Sequence, residues 1–151
     1  MELRMIEVGS TDYQSELALR YRYLRAPLGL SWSDTDLSEE PGQCHFGLFH
    51  DDTLIGCVVG RPVSQEQVHI RQMVVVPSHQ QRGFGRDLLI WAEEQLIARG
   101  YASCFLNARV EAIGFYEKCG YTTIGERFIE VTIPHQRMFK QLADLPRAGS
   151  T

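Results

Sequence analysis

At 151 residues, with 44% apolar and 23% charged side chains, the chain has enough sequence for one globular core and too little for two of ordinary size. Fifteen basic against nineteen acidic side chains leave a net charge of −4, which speaks against the broad positive field that holds a protein on nucleic acid. No apolar run is long enough for a membrane span, and the opening Met1-Glu2-Leu3-Arg4-Met5 lacks the basic-then-apolar pattern of a secretory leader, so the expectation is a cytoplasmic protein without membrane contact.

Leu3–Val8 alternates apolar and polar residues and predicts a strand. Asp12 then reads as the N-cap of a helix to about Leu24, with Leu17, Leu19, Tyr21, Tyr23 and Leu24 as its buried or cleft-facing positions. Residues 26–42 mix prolines, glycines, serines and acids with Leu28, Leu30, Trp32 and Leu37, an irregular segment with apolar anchors. Cys44–Phe49 and Thr53–Val63, parted by His50-Asp51-Asp52, predict a hairpin. A third strand comes next over Gln67–Val76, and its closing run Met73-Val74-Val75-Val76 implies burial on both faces. Gly83–Arg99 predicts a helix with Leu88, Leu89, Ala92, Leu96 and Ile97 on its inner face and Gly100 as its stop. Ala102–Ala108 predicts a strand, Val110–Lys118 a short helix closed by Gly120, and Phe128–Ile133 and His135–Lys140 two more strands. The domain is expected over residues 1–142, with residues 143–151 frayed.

Cys44, Cys57, Cys104 and Cys119 are scattered, with none of the close spacing of a zinc site or a redox pair, so no metal is expected and three of them read as core thiols. The informative stretch is Val74-Val75-Val76-Pro77-Ser78-His79-Gln80-Gln81-Arg82-Gly83-Phe84-Gly85-Arg86: an apolar strand, a short polar loop, two glycines one residue apart, then a helix. Such a turn presents backbone N–H groups and a helix N-terminus to an anion, and Arg82 and Arg86 add charge. The dinucleotide fingerprint fails because Leu88 stands where its third glycine belongs, and the P-loop fails for lack of its lysine and hydroxyl. On the loop alone, a tight turn without any ligand is an equal reading.

The order of elements and the Gln80-x-x-Gly83-x-Gly85 loop resemble the GCN5-related N-acetyltransferase (GNAT) superfamily over roughly residues 3 to 141. A second signature, Ala112-x-x-Phe115-Tyr116-Glu117-Lys118-x-Gly120-Tyr121, is similar to the final helix and turn of that family, and Glu130-Val131-Thr132-Ile133-Pro134-His135 with Met138 resembles a small bacterial single-domain branch. The resemblance implies an α/β (α+β) fold: a central mixed, mostly antiparallel sheet of six to seven strands, flanked by about four helices and splayed at the central strands after Met73. It implies acetyl-coenzyme A as co-substrate. The pyrophosphate would meet the amides of Gln81, Arg82, Gly83, Phe84, Gly85 and Arg86, with Gln80 where the family has Gln or Arg. Met73, Val74 and Val75 would run along the thioester and pantetheine, and Asn107, Phe115 and Tyr116 would complete the cofactor site.

The implied reaction moves an acetyl group to a primary amine directly, in a ternary complex. An ammonium group with a pKa near 10.4 lies about three units from neutrality at pH 7, a cost of about 4 kcal/mol that proton removal must meet. Tyr116 matches the family's tyrosine that protonates the departing thiolate; from spacing alone, a core aromatic with a satisfied hydroxyl is the commoner case. For the base, His135, His69, Glu130 and Glu111 remain open, as does proton loss through ordered water. Asn107 either binds the cofactor or caps the short helix. Asp34, Asp36, Glu39 and Glu40 either attract a cationic acceptor or are a solvated loop. A non-catalytic acyl-coenzyme A sensor of the same fold, and a transferase of longer acyl groups tuned by Met73 and Phe115, are the rival readings. The acceptor, a small molecule or a peptide, is not identified by the sequence, and the family resemblance admits a homodimer.

Overall fold

The computed structural model describes residues 1–32 and 37–143. Asp34, Asp36 and the tail from 144 on lie outside the described residues. The main elements, in chain order, are β1 (Glu2–Ile6), α1 (Thr11–Arg20), β2 (Cys44–His50), β3 (Thr53–Pro62), β4 (Gln67–Val75), α2 (Phe84–Ala98), β5 (Ser103–Arg109), α3 (Ile113–Lys118), β6 (Thr122–Glu130) and β7 (Ile133–Gln141). The seven strands form one mixed sheet in the order β1-β2-β3-β4-β5-β7-β6. Ladders β1–β2, β2–β3, β5–β7 and β6–β7 are antiparallel, and β4–β5 is parallel. The mostly antiparallel mixed sheet agrees with the expected fold. Three α-helices stand among the described residues where about four were expected.

Contacts divide the chain into two compact units, Met1–Arg61 with Ile70–Ala92, and Pro62–His69 with Glu93–Thr151. In the first unit, Ser10 and not Asp12 caps α1: its hydroxyl accepts the Tyr13 N–H at 3.1 Å, and Asp12 sits in the first turn, where a carboxylate suits the helix dipole. The predicted continuation to Leu24 loosens into a π turn over Tyr21–Arg25 and a 3-10 turn over Ala26–Leu28, and Tyr21 is exposed. Leu19 is buried with Tyr13, while Leu17 packs at the margin of a cluster of Ile6, Tyr13 and Phe49. The β2–β3 hairpin turns at Asp51 and Asp52, both left-handed with φ of 50° and 63°, which matches the right-handed twist of the flanking strands.

Two-sided burial falls on that hairpin and not on the end of β4. His45–Phe49 and Ile55–Gly60 are buried at consecutive positions, whereas Met73, Val74 and Val76 are half-buried and only Val75 is enclosed. Apolar runs mark buried strands only where helices cover both faces. The first part of α2 seals this unit with Leu88, Leu89 and Ala92, and Trp91 meets Phe46 edge-on at 5.8 Å.

In the second unit the parallel ladder pairs Gln67, Val68 and His69 with Ser103, Cys104 and Phe105, although β4 runs on to Val75 and β5 to Arg109. Ile97 is 40% exposed despite its helical spacing, because Leu96 and Glu93 take the inward positions of the last α2 turns. The last two strands differ from the predicted pair. β6 starts at Thr122, the turn falls at Val131 and Thr132 (φ 48° and 64°), and Pro134 lies inside β7 opposite Ile129. Two β-branched residues mask that turn in the sequence, and the proline that seemed to break the strand sits at its second position.

Candidate functional site

The loop that closes β4 is set by its own backbone. The Val76 N–H donates to Ile55 O at 2.9 Å, a 3-10 turn spans Pro77–His79, and the Gln80 side-chain amide reaches back to Val75 O at 2.7 Å. Gln81 (φ 60°) and Gly83 (φ 85°) are both left-handed, and α2 begins at Phe84, with the Asp87 N–H on Gly83 O at 3.0 Å. A Cβ at Gly83 would meet nothing within 4 Å, so the demand for glycine there is conformational. Alternating left-handed residues at the head of a helix gather successive N–H groups on one concave side, and the first helical amides have no acceptor within the helix. Gly85 and Arg86 lie in that first turn; Arg82 and Arg86 are exposed, with the Arg82 guanidinium 5.5 Å from the Phe84 ring centre. The whole arrangement suits a polyanion.

Upstream, β4 carries a left-handed residue within the strand: Gln72 has φ 54°. Such a residue marks a bulge and interrupts the two-residue alternation, so His69 and Met73 do not share a face by counting alone. Met73, Val74 and Val75 come after this kink and lead directly into the loop.

In the second unit, Tyr116 lies on α3, edge-on to Phe115 at 5.1 Å and to Tyr121 at 5.9 Å. Burial, with a smaller contribution from Cys119, pushes its phenol up to about 12, so it stays a protonated donor across the physiological range. Phe115 is 38% exposed. Asn107 Oδ1 accepts from Arg137 Nε at 3.0 Å, and residue Arg109, not Asn107, precedes the turn into α3. His69 is half-buried and stacks on Phe105 with ring centres 4.6 Å apart; the Arg137 guanidinium lies 4.4 Å from the same ring centre. His135 Nδ1 donates to Ile133 O at 2.7 Å, its ring stacks on Phe128, and its Nε2 lies 4.0 Å from a carboxylate oxygen of the half-exposed Glu130. A neutral His135 so held keeps its lone pair on Nε2. His135 and Glu130 are therefore brought together, whereas Glu111 is exposed at the start of the turn into α3.

The model of the acetyltransferase (GNAT) family matches residues 10–121, most of the chain and all of the loop. The chain belongs to the GNAT family. Among curated relatives, the uncharacterised N-acetyltransferase YitI of Bacillus subtilis is 28% identical over 130 residues, covering 82% of this chain and 87% of that one. Among solved structures, an aminoglycoside 6′-N-acetyltransferase complexed with coenzyme A superposes with a TM-score of 0.80 at 19% identity, covering 97% of this chain and 100% of that one. Escherichia coli ElaA does so with a TM-score of 0.80 at 20% identity, covering 93% and 100%. These likenesses carry the GNAT fold. No described helix is long and apolar enough to cross a membrane.

The GNAT chain also holds a charged cluster that local sequence reading missed. Arg20 is fully buried; its Nη1 donates to Glu16 and to Glu40 at 2.6 Å each, its Nη2 to Glu40 at 3.2 Å and its Nε to Gln72 Oε1 at 3.2 Å. Tyr13 donates to Glu40 at 3.0 Å, and Arg71 lies 3.7 Å from it. Glu40, expected among the acids that greet an acceptor, is thus wholly enclosed and engaged, while Glu39 is exposed. Burial alone would raise the Glu40 carboxyl, but its hydrogen bonds and ion pair with Arg20 hold it below its ordinary value. His45 contacts Glu16 through Nδ1 at 2.8 Å and the Glu40 carbonyl through Nε2 at 3.0 Å. Both partners are acceptors, so the ring is an imidazolium. Burial would lower its pKa, yet Glu16 and Glu40 raise it overall.

Ligand atoms of Glu16, Glu40 and His45 lie within 4.8 Å of one another, the spacing of a metal site. The Arg20 guanidinium already fills the place of the cation. Isolated polar residues in α1 carry only one sequence signal, the four-residue spacing of Glu16 and Arg20, which is far commoner on solvent-facing helices.

Proposed function

We propose that this GNAT protein transfers an acetyl group from acetyl-coenzyme A to a primary amine by direct attack in a ternary complex. The observation that carries the reading is the loop Gln80–Arg86, with left-handed Gln81 and Gly83 before the N-terminus of α2. Its amides and the two arginines would hold the diphosphate of the cofactor. The backbone of Met73 and Val75 would meet the acetyl carbonyl and the pantetheine amides, and a strand N–H is a suitable donor to the oxyanion of the tetrahedral intermediate.

Collapse of that intermediate breaks the carbon–sulfur bond. The Tyr116 phenol, kept protonated by burial with a pKa pushed up to about 12, gives its proton to the thiolate, and the proton that the base takes from the amine is passed back to restore it. His135, with Glu130 near its Nε2, is the preferred base, and His69 the alternative. Phe115 and Asn107 belong to the cofactor side of the site in this reading. The family relationship supports acetyl transfer in general; the amine is the finer part of the proposal.

A thiol-release assay with acetyl-coenzyme A and a panel of amino sugars, polyamines, amino acids and peptides tests it. Release that requires an amine, and falls at least tenfold in Tyr116→Phe, is the expected result. Cofactor binding with no turnover on any amine would make the protein a sensor and defeat the proposal.

A further inference from the structure

A non-glycine residue in the left-handed region costs of order 1–3 kcal/mol and persists only where its surroundings determine it. Gln72, inside β4 with φ 54°, is such a residue, and the contacts that fix it run to the charged cluster. Its side-chain oxygen accepts from Arg20 Nε at 3.2 Å, and its backbone oxygen accepts from the Cys57 thiol at 3.5 Å. Arg20 in turn cannot swing away. Glu16 and Glu40 hold both of its terminal nitrogens, all three side chains are fully buried, and the Trp32 ring centre lies 4.9 Å from the guanidinium carbon. Each anchor comes from a different part of the chain: Glu16 from α1, Glu40 from the 3-10 turn before β2, and Gln72 from β4. A guanidinium with two carboxylates on its fork and one amide on its Nε is a rigid bracket, not a mobile charge.

We propose that Arg20 is a positioning residue: clamped by Glu16 and Glu40, it holds Gln72 in its left-handed conformation and thereby sets the path of Met73–Val75. This inference rests on the reading of that stretch as the backbone that meets the acetyl thioester. Through it, a residue that touches neither cofactor nor acceptor controls how well the acetyl group is held. Binding of acetyl-coenzyme A should gain over that of coenzyme A from the carbonyl contact, and the gain should depend on Gln72.

Two readouts on the full-length protein test the bracket. Backbone carbon chemical shifts report the left-handed state of Gln72, and calorimetry gives the ratio of affinities for acetyl-coenzyme A and coenzyme A. Arg20→Lys keeps the charge between the two carboxylates but removes the Nε donor. In it the Gln72 shift should leave the left-handed range, and an acetyl preference of about tenfold, the worth of one good hydrogen bond, should vanish while coenzyme A affinity holds. Should Arg20→Lys not fold, Gln72→Leu removes the acceptor and should lose the preference, and Gln72→Gly, which takes a positive φ unaided, should keep it. A folded Arg20→Lys with an unchanged Gln72 shift, a Gln72→Leu protein that retains the preference, or a wild type with none would overturn the inference. A wild type that binds neither ligand would instead defeat the reading of the site, and the shift measurement would still decide whether Arg20 holds Gln72.

Discussion

The two units each bury a polar network, and the two are built on different terms. In the second unit Glu93 is the hub: Lys140 donates to one oxygen and Tyr121 to the other, both at 2.7 Å, and Tyr121 also meets Cys104 at 3.3 Å. One carboxylate faces one cation, both of its oxygens are satisfied, and the Lys140 side chain remains 22% exposed. Burial pushes the Tyr121 phenol far up, so it is a permanent donor. In the first unit two carboxylates face Arg20 and the His45 imidazolium with every one of the four side chains enclosed, and Glu16 Oε1 has no hydrogen-bond partner among the described residues. The Glu93 network is a neutral peg between α2, α3 and the closing strands, complete in itself. The Arg20 cluster is dense in charge and loses its balance with the loss of any member.

That difference predicts an order of damage. The largest effect should come from Glu40→Ala, which leaves Arg20 buried with a single carboxylate: a loss of about 3–5 kcal/mol, read as a lower midpoint of denaturant unfolding with an unchanged slope. Lys140→Met should cost about 1–3 kcal/mol in the same measurement, because Glu93 keeps the Tyr121 hydroxyl and the ion pair that is lost is partly exposed at Lys140. If Lys140→Met proved the more damaging, the contrast between the networks would be wrong.

The smallest effect is a slope with pH. A folded-state pKa of His45 raised above its ordinary value means that the folded protein binds its proton more tightly than the unfolded chain. The stabilisation is therefore complete below about pH 6.5, the pKa of the unfolded chain, and is lost as pH rises through the folded value. The melting temperature of wild type minus that of His45→Gln should accordingly be larger at pH 6 than at pH 9. The groups that face the ring are Glu16, Glu40 and Tyr13, with Arg20 sharing the two carboxylates, and it is Glu16 and Glu40 that raise the ring's pKa against burial.

Legibility in the sequence depends on the range of the interactions concerned. The loop at Gln80–Arg86 could be read because its shape is local: a glycine where φ must be positive, a helix start, flanking arginines. The β2–β3 hairpin was equally local, fixed by two acids that tolerate the left-handed region. The β6–β7 turn was not, since Val131 and Thr132 carry strand chemistry into left-handed positions, and Pro134 offered a false boundary. The Arg20 cluster lay beyond reach for another reason. Glu16, Arg20, Glu40, His45 and Gln72 are ordinary surface types, the bonded pair Arg20 and Gln72 lie fifty-two positions apart, and only the tertiary fold reveals that they share one enclosure. Gln72 itself gave no sign of its left-handed backbone, although that kink sets the course of Met73–Val75 at the end of β4.

Calorimetry of the wild-type protein with coenzyme A and, separately, with pantetheine tests the grip of the Gln80–Arg86 amides on a diphosphate most directly. Binding of coenzyme A that is lost in Gly83→Val, together with pantetheine heat too small to detect, is the predicted result. Equal affinity for the two compounds, or a Gly83→Val protein that binds coenzyme A as well as the wild type, would contradict it.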